Sequence, residues 1–393
     1  MTLAPLPHHT RVVAHLKAHE PDLWAWFTSA PSWSELLERT RLLLLKRAVR
    51  LDRATHHHLY AAADHALAAL QLDLPLTLYQ ATHPGAANAA LFYLPGEAHV
   101  VLEGPVEALL DADELRALFG HELAHHALWS MDDGAYFVAD RLLDASAAAD
   151  AAEDAHDVAA RRFALYTEIF ADRGSLLATG DVDPVIRCLV KMQTGLSQVS
   201  AAAYLQQAEE IFELGEARTE GVTHPEMFIR ARAVDRFARA LDADLEPMIE
   251  GAPTLTSLDL LQQVELTDLT RRFLEWALAP AWMQSAPMLA HARLFFDDLQ
   301  PQSASGARSP GPHELDAPVP ELGRYRESLA DYWCYLLLDL AAADPSLEDQ
   351  PLAHALGLAE QLALLPRLEE LAKRELKVKA RTLAKLRPAE ASR

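Results

Sequence analysis

Helix-forming residues dominate the pattern of apolar and polar positions along this 393-residue chain. Alanine and leucine recur throughout and runs of β-branched residues are few, a balance that favours helices over strands. The pattern predicts a mainly α (α+β) protein. Besides a helix that begins near residue 111, helices are predicted over residues 134–149, 151–178, 185–214, 225–241, 258–299 and 321–385.

One region breaks the helical pattern. Residues 75–79, 90–94 and 98–102 are short extended segments, separated by turn-forming residues at His83-Pro84-Gly85 and Pro95-Gly96. We expect them to form a small antiparallel sheet.

A helix start signal follows the third predicted strand. Asp111 and Glu114 have the D-x-x-E spacing of a capping box, in which each side chain accepts a backbone N–H of the first helical turn. Downstream, Leu115, Leu118 and Phe119 have helical spacing. The pattern predicts a helix that buries one face.

That helix carries His121-Glu122-Leu123-Ala124-His125, an HExxH motif. Positions i and i+4 lie one above the other on a helix, so both imidazoles can converge on one ion while Glu122 faces its open side. This spacing is typical of zinc peptidases. The motif predicts one Zn²⁺ per chain, bound by His121 and His125, with Glu122 as general base.

A catalytic zinc site needs a third protein ligand and an open position for water. The metzincin form of the motif would need histidine at position 131, which is Met131. Glu168 is the preferred ligand, because Asp172 lies one helical turn further on and can orient a liganding histidine. Asp144 is an alternative ligand. The remaining acidic residues of this region are interpreted as a solvated helix face: Asp150, Glu153, Asp154 and Asp157.

The composition, with 50% hydrophobic and 23% charged residues, is that of a globular protein. A formal net charge of −22 argues against nucleic acid as a partner, because phosphates would be repelled. The apolar runs are too short to span a bilayer, and the N-terminus lacks a secretory signal. Together with only two cysteines, Cys188 and Cys334, these features predict a cytoplasmic protein without a transmembrane segment.

One segment departs from the acidic balance. Residues 373–387 contain seven Lys and Arg residues and one acidic residue, Glu375. We interpret this basic tail as a solvated helix end that pairs with the acidic body of the protein. Docking to an anionic partner is the alternative.

Four elements follow one another along the chain: residues 88–104, residues 113–125, Glu168-x-x-Ala171-Asp172, and Thr223-His224-Pro225 followed by Arg230. In this order they resemble the core of the gluzincin peptidases typified by the heat-shock protease HtpX and the CAAX prenyl proteases, metallopeptidase family forty-eight. The likeness covers roughly residues 74–241. The chain differs from the family at Glu97, where family members usually have a second glycine. It also differs in that no membrane helices, which the best-known members have, are predicted.

The resemblance implies a zincin-like helical core and zinc-dependent hydrolysis of peptide bonds. It places Glu168 as the third zinc ligand, with His224 and Arg230 stabilising the tetrahedral intermediate or shaping the site. A protein or peptide substrate would bind as an extended strand, and we expect it to pair with residues 98–102. The sequence specifies neither the cleavage preference nor the oligomeric state.

Two further readings stay open. A structural zinc in a helical binding or regulatory protein would leave Glu122 without a role. A latent peptidase would have its cleft covered by later segments. The regions expected are an N-terminal helical region (1–73), the metallopeptidase core (74–245), a helical region (254–300) that follows a proline and glycine cluster at 246–253, a Pro-rich linker or lid (301–320) and a C-terminal helical region with the basic tail (321–393).

Overall fold

The computed structural model describes residues 3–83, 85–148, 154–215, 219–220, 223–241, 245–300 and 322–387. The chain divides into two compact units, Met1–Gly251 and Ala252–Arg393. The boundary falls in the proline and glycine cluster at residues 246–253. The proposed linker or lid at 301–320 lies outside the described residues, and the division into five regions stays a prediction.

The mainly α fold class is confirmed, since helices make up most of both units. The helices of the first unit are α1 (Pro7–His19), α2 (Pro21–Phe27), α3 (Ala30–Arg47), α4 (His57–Ala69), α5 (Val106–Leu109), α6 (Ala112–Ser130), α7 (Ala135–Ala147), α8 (Asp154–Thr179), α9 (Val182–Thr194), α10 (Ala201–Glu213), α11 (Met227–Ala238) and α12 (Leu245–Glu250).

The single helix predicted over residues 185–214 is wrong, because the chain forms α9 and α10 there. Gly195 ends α9 with φ at 72°, a left-handed conformation that favours glycine, and its N–H donates to the Lys191 carbonyl at 2.8 Å. Ser200 then caps α10 by accepting the N–H of Ala203. A helix stop and a helix start therefore lie within one apolar pattern.

The sheet contains the three predicted strands and a short additional one. It consists of β1 (Ala48–Arg50), β2 (Leu76–Ala81), β3 (Asn88–Leu94) and β4 (Glu97–Glu103) in the order β1-β2-β4-β3. The sheet is mixed rather than antiparallel, because β2 and β4 run parallel while β3 returns antiparallel on the outer side of β4.

This strand order corrects the expected docking edge for a substrate. Strand β4 has β2 on one side and β3 on the other, so its backbone groups are already paired. Among the described strands, β3 pairs only with β4 and is the edge nearest α6. An added strand would pair with β3.

The start of α6 confirms the capping box. Asp111 accepts the backbone N–H groups of Asp113 and Glu114 at 3.0 and 2.9 Å, and Glu114 accepts the N–H of Asp111 at 2.8 Å. Glu114 is fully buried and is also paired with Lys191 at 2.8 Å. Phe119 is one of the buried residues through which α6 packs in the core of the first unit. The helix is therefore fixed at its start and along its buried face.

Two glycines allow α6 and α8 to approach closely. A Cβ on Gly120 would lie 2.6 Å from the Cβ of Ala178 and 2.8 Å from the carbonyl oxygen of Gly174. A Cβ on Gly174 would lie 2.7 Å from the carbonyl oxygen of Gly120 and closer still to Ala124. Neither position has room for a side chain, so the two helix backbones are in contact.

The second unit is helical throughout its described residues and has its own hydrophobic core around Trp333 and Phe273. Its helices are α13 (Leu260–Ala277), α14 (Ala286–Ala292), α15 (Tyr325–Ser328), α16 (Ala330–Ala343), α17 (Gln350–Gln361), α18 (Leu365–Glu375) and α19 (Ala380–Leu386).

Candidate metal centre

Helix α6 presents both motif histidines on one side. The Nε2 atoms of His121 and His125 lie 3.3 Å apart, because the two residues are separated by one helical turn. Both rings are largely buried. Hydrogen bonding fixes the first ring, since Nδ1 of His121 donates to Oδ1 of Asp172 at 3.0 Å. Burial alone would lower the pKa of this ring, but Asp172 and Glu168 raise it to about 10, so a metal ion would displace the proton on Nε2.

Helix α8 adds Glu168 to this pair. Its Oε2 lies 3.4 Å from Nε2 of His121, and its Oε1 lies 3.6 Å from Nε2 of His125. The three residues form a group of potential metal ligands whose donor atoms lie within 4.8 Å of one another. The close contact of α6 and α8 at Gly120 and Gly174 makes this convergence possible.

The three donors fit a zinc ion. Ligand atoms about 2.0–2.1 Å from a tetrahedral ion lie about 3.3 Å apart, close to the two shortest separations here. Among the described residues, the buried Oε2 atom of Glu168 has no hydrogen-bond partner, although His121 and Arg230 lie 3.4 and 3.5 Å from it. A cation bound between these donor atoms would satisfy it. Two imidazole nitrogens and one carboxylate oxygen are a donor set that suits zinc.

Arg230, on α11, supports the centre through Asp172. Its Nε and Nη2 donate to the two carboxylate oxygens of Asp172 at 2.8 and 2.6 Å. Its Nη1 also lies 3.5 Å from Oε2 of Glu168. Arg230, Asp172 and His121 therefore form a buried chain that ends at a candidate metal ligand, as a liganding histidine requires.

His224 lies just before α11, at the mouth of the cavity. Its side chain is 58% exposed and its Nε2 lies 3.4 Å from Oε2 of Glu168. The structure thus brings His224 and Arg230 to the same site as the HExxH residues. His224 is the member that remains open to a bound molecule.

Glu122 is buried beside the metal ligands. The backbone N–H of Leu91 on β3 lies close enough to its carboxylate to favour the ionised form, so the general-base candidate lies beside the edge strand. Burial raises the pKa of Glu122 to about 7, which is suitable for a group that takes up and releases protons at neutral pH. Glu122 faces a cavity of about 560 Å³ that also contacts His224, Met192 and Asn88.

The other titratable groups respond to burial and to one another. Burial opposes ionisation of Glu168, but the close contact with positively charged His121, together with the charge of Arg230, holds its pKa below the usual value. Burial lowers the pKa of His125 to about 4, which keeps its ring neutral at physiological pH. A neutral imidazole and an ionised carboxylate are the forms that bind a metal ion.

The alternative ligand Asp144 is not part of this group. It lies on α7, pairs with Arg141 at 3.4 Å and has a side chain that is 59% exposed. Asp154 and Asp157 are exposed at the start of α8, as a solvated face predicts. Asp150 and Glu153 lie outside the described residues.

Several supporting residues were not predicted from the sequence. The N–H of Leu91 and the glycines at 120 and 174 act through backbone position, which a residue pattern does not reveal. Trp129 is different, because it lies one turn after His125 on the same helical face and its ring packs 5.3 Å from that imidazole. Its i+4 spacing was a usable signal.

Comparison with known proteins identifies a matching protein family. Residues 53–238 match the model of Peptidase family M48. This part of the chain belongs to Peptidase family M48. M48 proteins are zinc metallopeptidases that act on proteins, and the matched residues contain all seven site residues predicted above. Searches of curated proteins and of solved structures gave no match. Within the described residues, no helix combines the length and apolar character needed to cross a membrane.

Proposed function

We propose that this protein is a zinc-dependent endopeptidase in which His121, His125 and Glu168 hold one zinc ion and Glu122 is the general base. The convergence of three zinc-type donors beside a buried carboxylate, at the wall of a cavity, carries the proposal. Membership of Peptidase family M48 supports it independently.

A zinc ion held there would lower the pKa of a water molecule and polarise the scissile carbonyl. Glu122 accepts the proton of the attacking water and delivers it to the leaving amine. Arg230 acts through Asp172, which keeps the hydrogen on Nδ1 of His121 and leaves Nε2 to bind the ion. Arg230 is in this proposal a positioning residue rather than a direct donor.

His224 is the proposed donor to the carbonyl oxygen as negative charge develops there. It lies next to Glu168, and its exposed side chain can turn toward a bound peptide. Replacement by Asn or Ala should lower kcat by about 10² to 10³-fold while zinc stays bound, a typical cost for such a donor.

The substrate would add to the open edge of β3. An extended peptide there gains main-chain hydrogen bonds, and the N–H of Leu91 marks the point where this edge passes the general base. Binding through the backbone tolerates many sequences, so selectivity would come from the cavities on either side.

Glu122→Gln is the decisive test. It keeps the side-chain volume and removes the base, so zinc content measured by elemental analysis should stay at one per chain while peptide cleavage falls by about 10² to 10⁴-fold. The matched control is Glu107→Gln on α5, outside the metal centre, which should behave as the wild type. Cleavage that survives in Glu122→Gln would favour the alternative of a structural zinc in a binding protein.

A further inference from the structure

A second groove follows the other half of the edge strand. The catalytic cavity contacts Asn88 and Ala89 at the start of β3, whereas this groove of about 670 Å³ contacts Leu91, Phe92 and Tyr93 further along. Helices α3 and α7 and the end of α6 form its other walls. A peptide lying along β3 would pass from one to the other.

The rim of this groove is positively charged. Among the described residues that line it, Arg39, Lys46 and Arg47 on α3 and Arg141 on α7 have exposed side chains, and Asp140 is the one carboxylate. Arg141 is paired with Asp144 at 3.4 Å, so the three cations on α3 carry most of the positive charge, in contrast with the net charge of −22 of the whole chain. Burial also raises the pKa of Asp140 to about 7, so this acid opposes the cations only in part near neutral pH.

The floor of the groove is aromatic and holds an unused donor. Phe92, Tyr93 and Trp129 line it, and the Trp129 ring packs 5.3 Å from the ring of His125. The indole Nε1 of Trp129 is buried, and no hydrogen-bond acceptor for it occurs among the described residues. Buried donors are normally paired, so this N–H is an unusual feature of the groove wall.

We propose that this groove binds the substrate residues that precede the scissile bond, and that it selects aspartate and glutamate there. The inference rests on the proposed function. An antiparallel added strand pairs slightly better than a parallel one, and its N-terminal part would lie beside the second half of β3. Acidic side chains reach the cationic rim, while the rest of the peptide packs on the aromatic floor formed by Phe92, Tyr93 and Trp129.

Cleavage profiling on a peptide library tests the preference. The wild type should cut preferentially where Asp or Glu lies within a few residues before the scissile bond. The double variant Lys46→Glu/Arg47→Glu should reduce kcat/KM for such sites about tenfold, mainly through KM, and leave neutral sites nearly unchanged. The matched control Arg116→Glu/Arg239→Glu makes the same charge change outside both cavities and should keep the preference.

A binding measurement separates this inference from the proposed function. Fluorescence anisotropy measures the affinity of the Glu122→Gln protein for one labelled acidic peptide and for its Asn/Gln counterpart. Each affinity is measured at low salt and at about 0.5 M salt, where the Debye length is roughly 4 Å. The acidic peptide should bind about tenfold more tightly at low salt, and the difference should shrink at high salt. Equal affinities, or cleavage without an acidic preference, would overturn the inference while leaving the peptidase intact. Absence of cleavage by the wild type would overturn the proposed function instead.

Discussion

At the residue scale, the site depends on charges that hold one another in place. Asp172 accepts hydrogen bonds from both His121 and Arg230, so its charge orients a candidate metal ligand and neutralises a buried guanidinium. The sequence identified this aspartate through its one-turn spacing from Glu168. It did not reveal that Arg230 completes the chain, because the contact joins residues 58 positions apart.

Asp172→Asn should weaken zinc binding by about 10- to 100-fold, the usual cost of losing a carboxylate behind a liganding histidine. Chelator competition measures the affinity. Asp144→Asn is the matched control, since the Asp144 side chain is exposed and, among the described residues, pairs with Arg141. If both variants lose zinc equally, the assignment of the third ligand to α8 is wrong.

His9 makes the stability of the first unit depend on pH. Its ring is fully buried, its Nδ1 accepts the N–H of Leu6 at 3.2 Å, and its Nε2 contacts the hydroxyl of Thr167 at 3.2 Å. Burial holds the pKa of His9 well below 6.5, so the folded form stays neutral while the unfolded chain takes up a proton. Stability from this residue is therefore present above about pH 6.5 and lost as the pH falls below it.

The test compares urea unfolding of wild type and His9→Gln between pH 7.5 and 5.5. Below about pH 6.5 the wild type should lose up to about 1.4 kcal/mol per pH unit more than the variant. Parallel pH dependences would show that His9 does not titrate on unfolding.

At the element scale, the contact between α6 and α8 sets the distance between the histidines and Glu168. Alanine normally stabilises a helix relative to glycine by about 1 kcal/mol. Gly174→Ala should nevertheless destabilise the protein by about 1–3 kcal/mol and weaken zinc binding, because the added methyl group has no space against Gly120 and Ala124.

Gly85→Ala is the control for this variant, since an added Cβ there meets nothing within 4 Å. Thermal unfolding and chelator competition together measure the effect. Unchanged zinc affinity in a folded Gly174→Ala protein would mean that the helix contact does not position the ligands.

The sequence predicted those elements whose signals lie in short stretches of residues. It did not predict features that depend on how distant strands pair. The capping box at Asp111 and Glu114 and the three strands follow from short patterns. The position of β3 outside β4 depends on contacts between distant residues, and so does the docking edge. The break at Gly195 was missed because its signal lay inside a continuous helical pattern.

At the scale of the whole molecule, the first unit contains everything that the proposed chemistry requires. The M48 match, the metal ligands and both grooves lie within Met1–Gly251, which has its own core. The basic tail belongs to the second unit, where Arg387 pairs with Glu369. The boundary between the units falls in the proline and glycine cluster at residues 246–253, and residues 1–73 lie in the same unit as the candidate metal ligands.

A truncated chain of residues 1–251 should fold cooperatively and bind one zinc ion. Calorimetry should show one unfolding transition for the fragment and an additional one for the full chain, since each unit has a separate core. Turnover of the fragment above that of the full chain would indicate that later segments cover the cleft. A fragment that is unfolded at 25 °C would contradict the independence of the first unit.

In the proposed peptidase, the side of β3 that has no partner among the described strands would limit which proteins can be cleaved. A polypeptide can form backbone hydrogen bonds with this strand edge only where several consecutive residues lie outside helices and sheets. Native globular domains seldom expose such stretches, whereas tails, inter-domain connectors and damaged proteins do. The cleavage rate of a given target should therefore increase with how often it unfolds locally. The preference for certain side chains then determines which of the exposed segments is cleaved.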